Sequence, residues 1–357
     1  MVSARKYRPQ EFDTVVGQNH ITDTLEHAIA ENQMAQALLF CGPRGVGKTT
    51  CARILARKIN ERDGSTSDDG FAYNIFELDA ASNNSVEDIR DLTDQVRFAP
   101  QVGKYKIYII DEVHMLSSAA FNAFLKTLEE PPAHAIFILA TTEKHKIIPT
   151  ILSRCQIYDF KRIVIEDIQE HLKKIAEKEN ILYEDDALFL VAQKADGALR
   201  DALSIFDRLS TFTQKNITLA KTAEVLNILD YDQYLNIVDF AQENKIPAVL
   251  FAFNEIVKKG FDPHIFIAGL GNHFRDLMMA QNPQTLSLIE VGENSRQKFS
   301  EQSKKWNVQQ LIDALEICNH ADIHYKNSKN PRLTVEIALM QLSSLTANES
   351  SSKKKSI

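Results

Sequence analysis

Gly42-Pro43-Arg44-Gly45-Val46-Gly47-Lys48-Thr49 fits the pattern G-x-x-x-x-G-K-[ST]. No other feature constrains the chain as much. With average residue usage, a chain of 357 residues meets this pattern by chance on the order of 1% of the time. The flanks match what the pattern needs. Ala37-Leu38-Leu39-Phe40-Cys41 reads as a short buried strand, and Ala52, Leu55, Ala56 and Ile59 recur at helical spacing. Strand, glycine loop and helix together let backbone N–H groups converge on an anion at a helix N-terminus. The loop, with Thr50 following, therefore reads as a phosphate cradle. Lys48 supplies a point charge for the β- and γ-phosphates, and the Thr49 hydroxyl is placed for Mg²⁺.

A cradle of this kind needs a second strand ending in carboxylates. Lys106-Ile107-Tyr108-Ile109-Ile110-Asp111-Glu112 provides it. An Asp-Glu pair after an apolar strand can also cap a helix. Downstream of a phosphate loop on the same sheet, Asp111 reads as the Mg²⁺ ligand and Glu112 as the group that orients the attacking water. Ala140-Thr141-Thr142 ends the next apolar run, and its order in the chain would place the Thr142 hydroxyl beside the γ-phosphate. Arg154 and Arg200 carry the side chain best suited to stabilise charge on a transferring phosphoryl group.

The organisation agrees. Residues 1–160 alternate apolar strands with helical patterns, the α/β signature, and the strands are rich enough in Ile, Val, Leu and Phe for a parallel sheet covered on both faces. The expected strands are Leu38–Cys41, Asn74–Leu78, Lys106–Ile110, Ala135–Ala140 and Gln156–Phe160, and a capping box is expected at Ser85-Val86-Glu87-Asp88. From Glu166 strand patterns fade. Residues 166–222 read as short amphipathic helices, including Glu166–Asn180 and Asp185–Lys194, and residues 223–345 as longer ones. Gly64 to Gly70 reads as a flexible surface loop, and the Ser/Lys-rich residues 346–357 as a disordered tail.

Composition excludes several classes. No run of 18 or more apolar residues occurs, so no membrane span is expected. Met1 to Gln10 is polar and basic, unlike a secretory signal. Cys41, Cys51, Cys155 and Cys318 form no C-x-x-C pair, which argues for reducing cytoplasm and against a disulfide framework. The net charge of −7 means that any nucleic-acid contact must be local. His320 and His324, with Asp322 between them, have metal-compatible spacing but no third strong ligand. They read better as surface or interface histidines.

These residues, together with Lys6-Tyr7-Arg8-Pro9, Phe12, Val16-Gly17-Gln18, Glu77-Leu78-Asp79-Ala80-Ala81-Ser82, Asp111-Glu112-Val113-His114-Met115-Leu116, Leu128-Glu129-Glu130-Pro131-Pro132 and Ser153-Arg154-Cys155, resemble the gamma/tau family of bacterial DNA polymerase III clamp loaders. The resemblance covers residues 4–345. A branch-migration motor would share the nucleotide site but not these runs.

The resemblance implies an α/β AAA+ P-loop domain with a parallel five-stranded sheet (1–160), a small helical lid domain (161–222) and an all-α collar domain (223–345). It implies ATP and Mg²⁺ as cofactors. It implies that Arg8, Pro9, Val16 and Gly17 wrap the adenine, that Thr142 is sensor 1, that Arg154 is an arginine finger acting in trans, and that Arg200 is the sensor 2 arginine. The implied partners are delta and delta prime subunits and further copies of the chain in a pentameric ring, a sliding clamp and primer-template DNA. Polymerase core and helicase join them if a longer form exists. Family members usually carry a four-cysteine zinc module in the interval that here runs from Asn60 to Tyr73. That interval has no cysteine, so no zinc is expected. The chain is expected to be gamma-like or an excerpt of a longer tau-type protein. Two rival functions stay open: a scaffold that binds ATP without hydrolysing it, and an AAA+ motor translocating on junction DNA.

Overall fold

The computed structural model describes residues 3–62, 74–100, 103–226, 229, 231–286, 289 and 293–345. The Gly64–Gly70 loop and the 346–357 tail lie outside the described residues. The chain divides into two compact units, Met1–Glu179 with Val191–Arg208, and Asn180–Leu190 with Leu209–Ile357.

The first unit begins with α1 (Ser3–Lys6) and α2 (Asn19–Ala30). It continues through β1 (Ala37–Cys41), α3 (Lys48–Arg62), β2 (Ile75–Asp79), α4 (Val86–Val96), β3 (Lys106–Asp111), α5 (Ser118–Glu129), β4 (Ala135–Thr141), α6 (Pro149–Leu152), β5 (Gln156–Asp159) and α7 (Ile165–Glu179). The five strands form one sheet in the order β2-β3-β4-β1-β5, with every pairing parallel. Period-two alternation sorts the strand residues between two cores. Leu38, Phe40, Ile107, Ile109, Ile136 and Ile138 pack with Leu25, Ala52, Leu55 and Ile59 of α2 and α3. Ala37, Leu39, Tyr108, Ile110, Phe137 and Leu139 pack with Ile89, Leu92, Phe121 and Phe124 of α4 and α5. Continuous apolar strands thus reflect burial on both faces. Helix starts follow their caps. Ser85 and Asp88 close the expected capping box, and Ser117 accepts from the Ala120 N–H.

The register matters for function. Cys41 pairs with Thr141 and Asp79 with Asp111. The carboxyl ends of β1, β3 and β4 therefore open on one edge of the sheet, where ligands of open α/β folds bind.

α8 (Asp185–Lys194) and α9 (Leu199–Phe212) follow, each with residues in both units. The second unit also holds β6 (Leu182–Tyr183) and β7 (Asn216–Ile217), two very short parallel strands in a region where no strand was expected. It is otherwise helical: α10 (Leu219–Leu226), α11 (Tyr231–Gln242), α12 (Ile246–Lys258), α13 (Pro263–Ala280), α14 (Pro283–Leu286), α15 (Glu293–Ser303), α16 (Val308–Tyr325) and α17 (Pro331–Ser344). Its core includes Phe253, Phe266, Leu270, Phe274, Leu311 and Leu339. Among the described residues, no helix is long and apolar enough to cross a membrane.

Candidate functional site

The loop after β1 turns on glycines. Gly42 has φ +147, and a Cβ there would lie 2.4 Å from the Phe160 carbonyl oxygen, so no other residue fits. Gly47 has φ +105 with no atom within 4 Å of a built Cβ. Its requirement is conformational, and the space beside it is open to a ligand. Lys48 opens α3 and is 6% exposed. Its Nζ donates to the Gly42 and Pro43 carbonyls, each at 2.7 Å. Burial lowers its pKa, while Glu112 and Asp111 oppose that shift.

The Thr49 hydroxyl donates to Asp111 Oδ2 at 2.7 Å, and Asp111 Oδ1 accepts from the Glu112 N–H at 3.0 Å. Glu112 follows in left-handed backbone, φ 48 and ψ 44, a conformation that costs about 1–3 kcal/mol for a non-glycine residue. Its Oε2 accepts from the Thr142 hydroxyl at 2.9 Å and the Thr142 N–H at 3.3 Å. His114 sits behind. Its Nδ1 is 3.4 Å from the same oxygen and 3.0 Å from the Thr141 hydroxyl, which accepts from the Glu143 N–H.

One cavity is lined by Arg8, Pro9, Val16, Arg44, Gly45, Val46, Gly47, Lys48, Thr49, Thr50, Asp111, Glu112 and Arg200. The structure thus brings most of the expected residues together. Burial and the nearby Arg53 lower the pKa of Arg8, with Arg200 adding to the effect and Glu77 opposing it. Among the described residues none of Arg8, Arg44, Lys48 and Arg200 forms an ion pair.

The other expected residues lie around this cavity or away from it. Gly42 and Pro43 serve it through the carbonyls that hold Lys48. Gly17 borders an adjacent groove, and Thr142, outside the lining itself, touches Glu112 of the cavity wall. Arg154 lies outside the cavity lining. It donates to Glu129 Oε1 at 2.7 Å and to the Thr150 carbonyl at 2.7 Å.

Several residues were missed. Ala4, Tyr7, Val15, Ile163, Leu199 and Leu203 complete the lining, mostly with apolar surface suited to a flat base. Gln18, fully buried, donates to the Val46 carbonyl at 3.4 Å and the Lys161 carbonyl at 2.7 Å, and accepts from the Lys161 N–H at 3.4 Å. It ties the phosphate loop to the chain leaving β5.

The donor set fits a Mg-nucleotide. Mg²⁺ takes oxygen ligands, commonly one or two from protein and the rest from phosphates and water, and Thr49 with Asp111 offers such a pair. Among the described residues no group of three or more His, Cys, Asp or Glu could hold a metal ion on its own. Asp322 is engaged by His264 at 2.9 Å. The zinc-module interval lies mostly outside the described residues, so the absence of zinc stays an expectation.

Three family models cover the chain in sequence. They are described as DNA polymerase III, delta subunit (residues 17–164), DNA polymerase III clamp loader subunit, ATPase lid domain (167–214), and DNA polymerase III subunits gamma and tau domain III (217–355). The DNA polymerase III subunit tau of Bacillus subtilis is 39% identical over 353 residues, which is 95% of this chain and 62% of that protein. The chain thus spans less than two-thirds of that relative's length. The DNA polymerase III subunit gamma of Buchnera aphidicola subsp. Schizaphis graminum is 34% identical over 355 residues, 95% of this chain and 97% of its own. The solved RuvB Holliday junction branch migration motor of Thermotoga maritima aligns with TM-score 0.50 and 22% identity over 66% of this chain and 78% of its own, and it shares the fold. With a five-stranded parallel sheet, a phosphate loop facing Asp111 and Glu112, and a relative 34% identical that is matched over 97% of its own length, the chain belongs to the gamma/tau family of DNA polymerase III subunits, AAA+ proteins with a helical lid and an all-α third domain.

Proposed function

We propose that this chain is the ATP-binding and ATP-hydrolysing motor subunit of a DNA polymerase III clamp loader, opening a sliding clamp and releasing it around primed DNA. One observation carries the reading. Lys48, 6% exposed and with no ion-pair partner among the described residues, joins Arg8 and the exposed Arg44 and Arg200 around a cavity that also presents the Thr49–Asp111 oxygen pair. A buried ammonium without a counter-charge is costly, and its place in a cavity fits a site made to bind an anion.

Each residue then has a task. Lys48, Arg200 and the backbone of Gly45 to Thr49 hold the phosphates, while Arg8, Pro9, Val16 and Gly17 flank the base. Thr49 and Asp111 would hold Mg²⁺, which when bound neutralises charge developing on the phosphoryl group. Glu112 orients the attacking water, and Thr142 fixes the Glu112 carboxylate by the bond already present. Arg154, which is not part of its own cavity's lining, serves the nucleotide of a neighbouring protomer.

The same proposal keeps 1–160, 161–222 and 223–345 as functional domains. It places the chain in the cytoplasm, in a pentameric ring of its own copies with delta and delta prime. Primer-template DNA is bound through its phosphates. Polymerase core and helicase join where a longer form exists. Nothing in the chain supplies a polymerase site, and no zinc is assigned.

The test is a clamp- and primed-DNA-stimulated ATPase assay on the assembled complex. Lys48→Ala should lower turnover at least ~100-fold, and unchanged turnover would end the proposal. Arg154→Ala should leave ATP binding by the isolated chain intact yet slow hydrolysis in the ring by about 10³-fold, as for other trans arginines. Glu112→Gln should trap ATP. Clamp loading at full speed by that variant would favour the scaffold reading.

A further inference from the structure

The segment that leads into the cavity from the N-terminus is fastened at two points by carboxylates from helices that follow the sheet. Ser3 is buried, its N–H donates to Asp207 Oδ2 at 2.6 Å, and its hydroxyl donates to Asp207 Oδ1. Both oxygens of one carboxylate are thus used by one residue. Four residues on, the Lys6 ammonium and the Tyr7 hydroxyl both donate to Glu179 Oε1, at the end of α7. The Tyr7 N–H closes the turn on the Ser3 carbonyl at 2.8 Å. Ala4, Tyr7, Arg8 and Pro9, within and just beyond these fastenings, form part of the cavity wall.

Asp207 lies on α9, which also places Arg200 and Leu203 in that wall. Positions 200, 203 and 207 fall on one helical face by their i, i+3, i+7 spacing. One face of α9 therefore supplies a wall of the cavity and the anchor of the strap that forms another wall.

We infer that Asp207 and Glu179 are positioning residues that hold Ser3–Pro9 as a clasp over the bound nucleotide, so that α9 governs how long nucleotide stays. The inference rests on the nucleotide reading above. Neither carboxylate lines the cavity, so each acts through the strap. Their loss should open an exit for the nucleotide without removing a phosphate ligand.

The experiment uses the full chain and the fluorescent nucleotide mant-ADP, chased with unlabelled ADP in a stopped-flow instrument. Asp207→Ala should speed release roughly tenfold, the equivalent of about 1.4 kcal/mol, while changing the association rate less. Asp207→Asn keeps an acceptor for the Ser3 donors and should return release to within about threefold of wild type, a rescue that a purely structural role would not predict. Ser3→Ala, a milder change near the chain end, should speed release by a smaller factor and serves if Asp207→Ala fails to fold.

Release at the wild-type rate by folded Asp207→Ala and Glu179→Ala, or by Ser3→Ala alone where those do not fold, overturns the clasp. Lys48→Ala separates the two levels. If it abolishes mant-ADP binding while the strap variants behave as wild type, only the clasp fails. If it binds mant-ADP normally, the nucleotide reading fails and the clasp with it.

Discussion

Lowering the pH from about 7.5 to about 5 should destabilise the second unit through one side chain, His273. This imidazole is 3% exposed on α13. Its Nε2 lies 2.8 Å from Gln302 Oε1, and the Gln302 amide nitrogen donates to the Leu235 carbonyl and to Asp239. Gln302 thus presents its oxygen to the ring, so His273 carries its proton on Nε2. Nδ1 is buried, with no hydrogen-bond partner among the described residues. Burial drives the pKa down from 6.5 to about 4, with Gln302 and Asp239 opposing the shift.

The unfolded chain therefore binds a proton below 6.5, where the folded unit refuses it. Stability from this group is full above 6.5 and falls as the pH drops from there toward 4. At one pKa unit per 1.36 kcal/mol, the loss is about 2 kcal/mol by pH 5 and about 3 kcal/mol in all. Trp306 is the only tryptophan of the chain and packs edge-on against Phe274 at 5.4 Å in the same core, so its fluorescence follows this unit alone. Urea titrations at the two pH values, on wild type and on His273→Gln, isolate the effect, because glutamine keeps a donor toward Gln302 and does not titrate. Wild type should lose about 2 kcal/mol more than the variant. Equal losses would refute the reasoning.

Gly47→Ala should keep the fold, since no atom lies within 4 Å of the added methyl. At φ +105 the alanine is strained, so the loop should relax away from its cradle and mant-ADP affinity should fall about tenfold or more. Unaltered affinity measured by fluorescence titration would mean that the cradle does not depend on that backbone. Gln18→Ala leaves the Lys161 N–H and carbonyl without their buried partner. It should cost about 1–3 kcal/mol and lower the thermal midpoint of the first unit in calorimetry. An unchanged midpoint would show that water replaces the amide at no cost.

The parts of the site legible in the sequence were those written locally. Gly42 to Thr49 announces its own backbone shape, and Asp111 and Glu112 end an unbroken apolar strand. The five strands were found within a residue or two; β1, β3 and β4 are buried on both faces, which leaves an apolar run, while the edge strands β2 and β5 keep exposed residues. What was missed depends on chain return. Ile163, Leu199 and Leu203 reach the cavity from beyond the sheet and look like ordinary core residues in the sequence. Gln18 stands out in the sequence only as part of a motif, since nothing local says that its amide will span the loop and Lys161. Strands β6 and β7 hold two residues each, too few for period-two alternation to register. His114 gave no signal beyond its motif, and only the folded register sets its ring between Thr141 and Glu112.

The contact between Arg154 and Glu129 is half open to solvent, with side-chain exposures of 33% and 48%. Pairs of this kind contribute about 0–1 kcal/mol. The Arg154 guanidinium thus rests on the end of α5, orderly but lightly held. On the proposed trans role of Arg154, little stability would be given up when that carboxylate is released, so the guanidinium can be re-aimed without disturbing the fold that carries it.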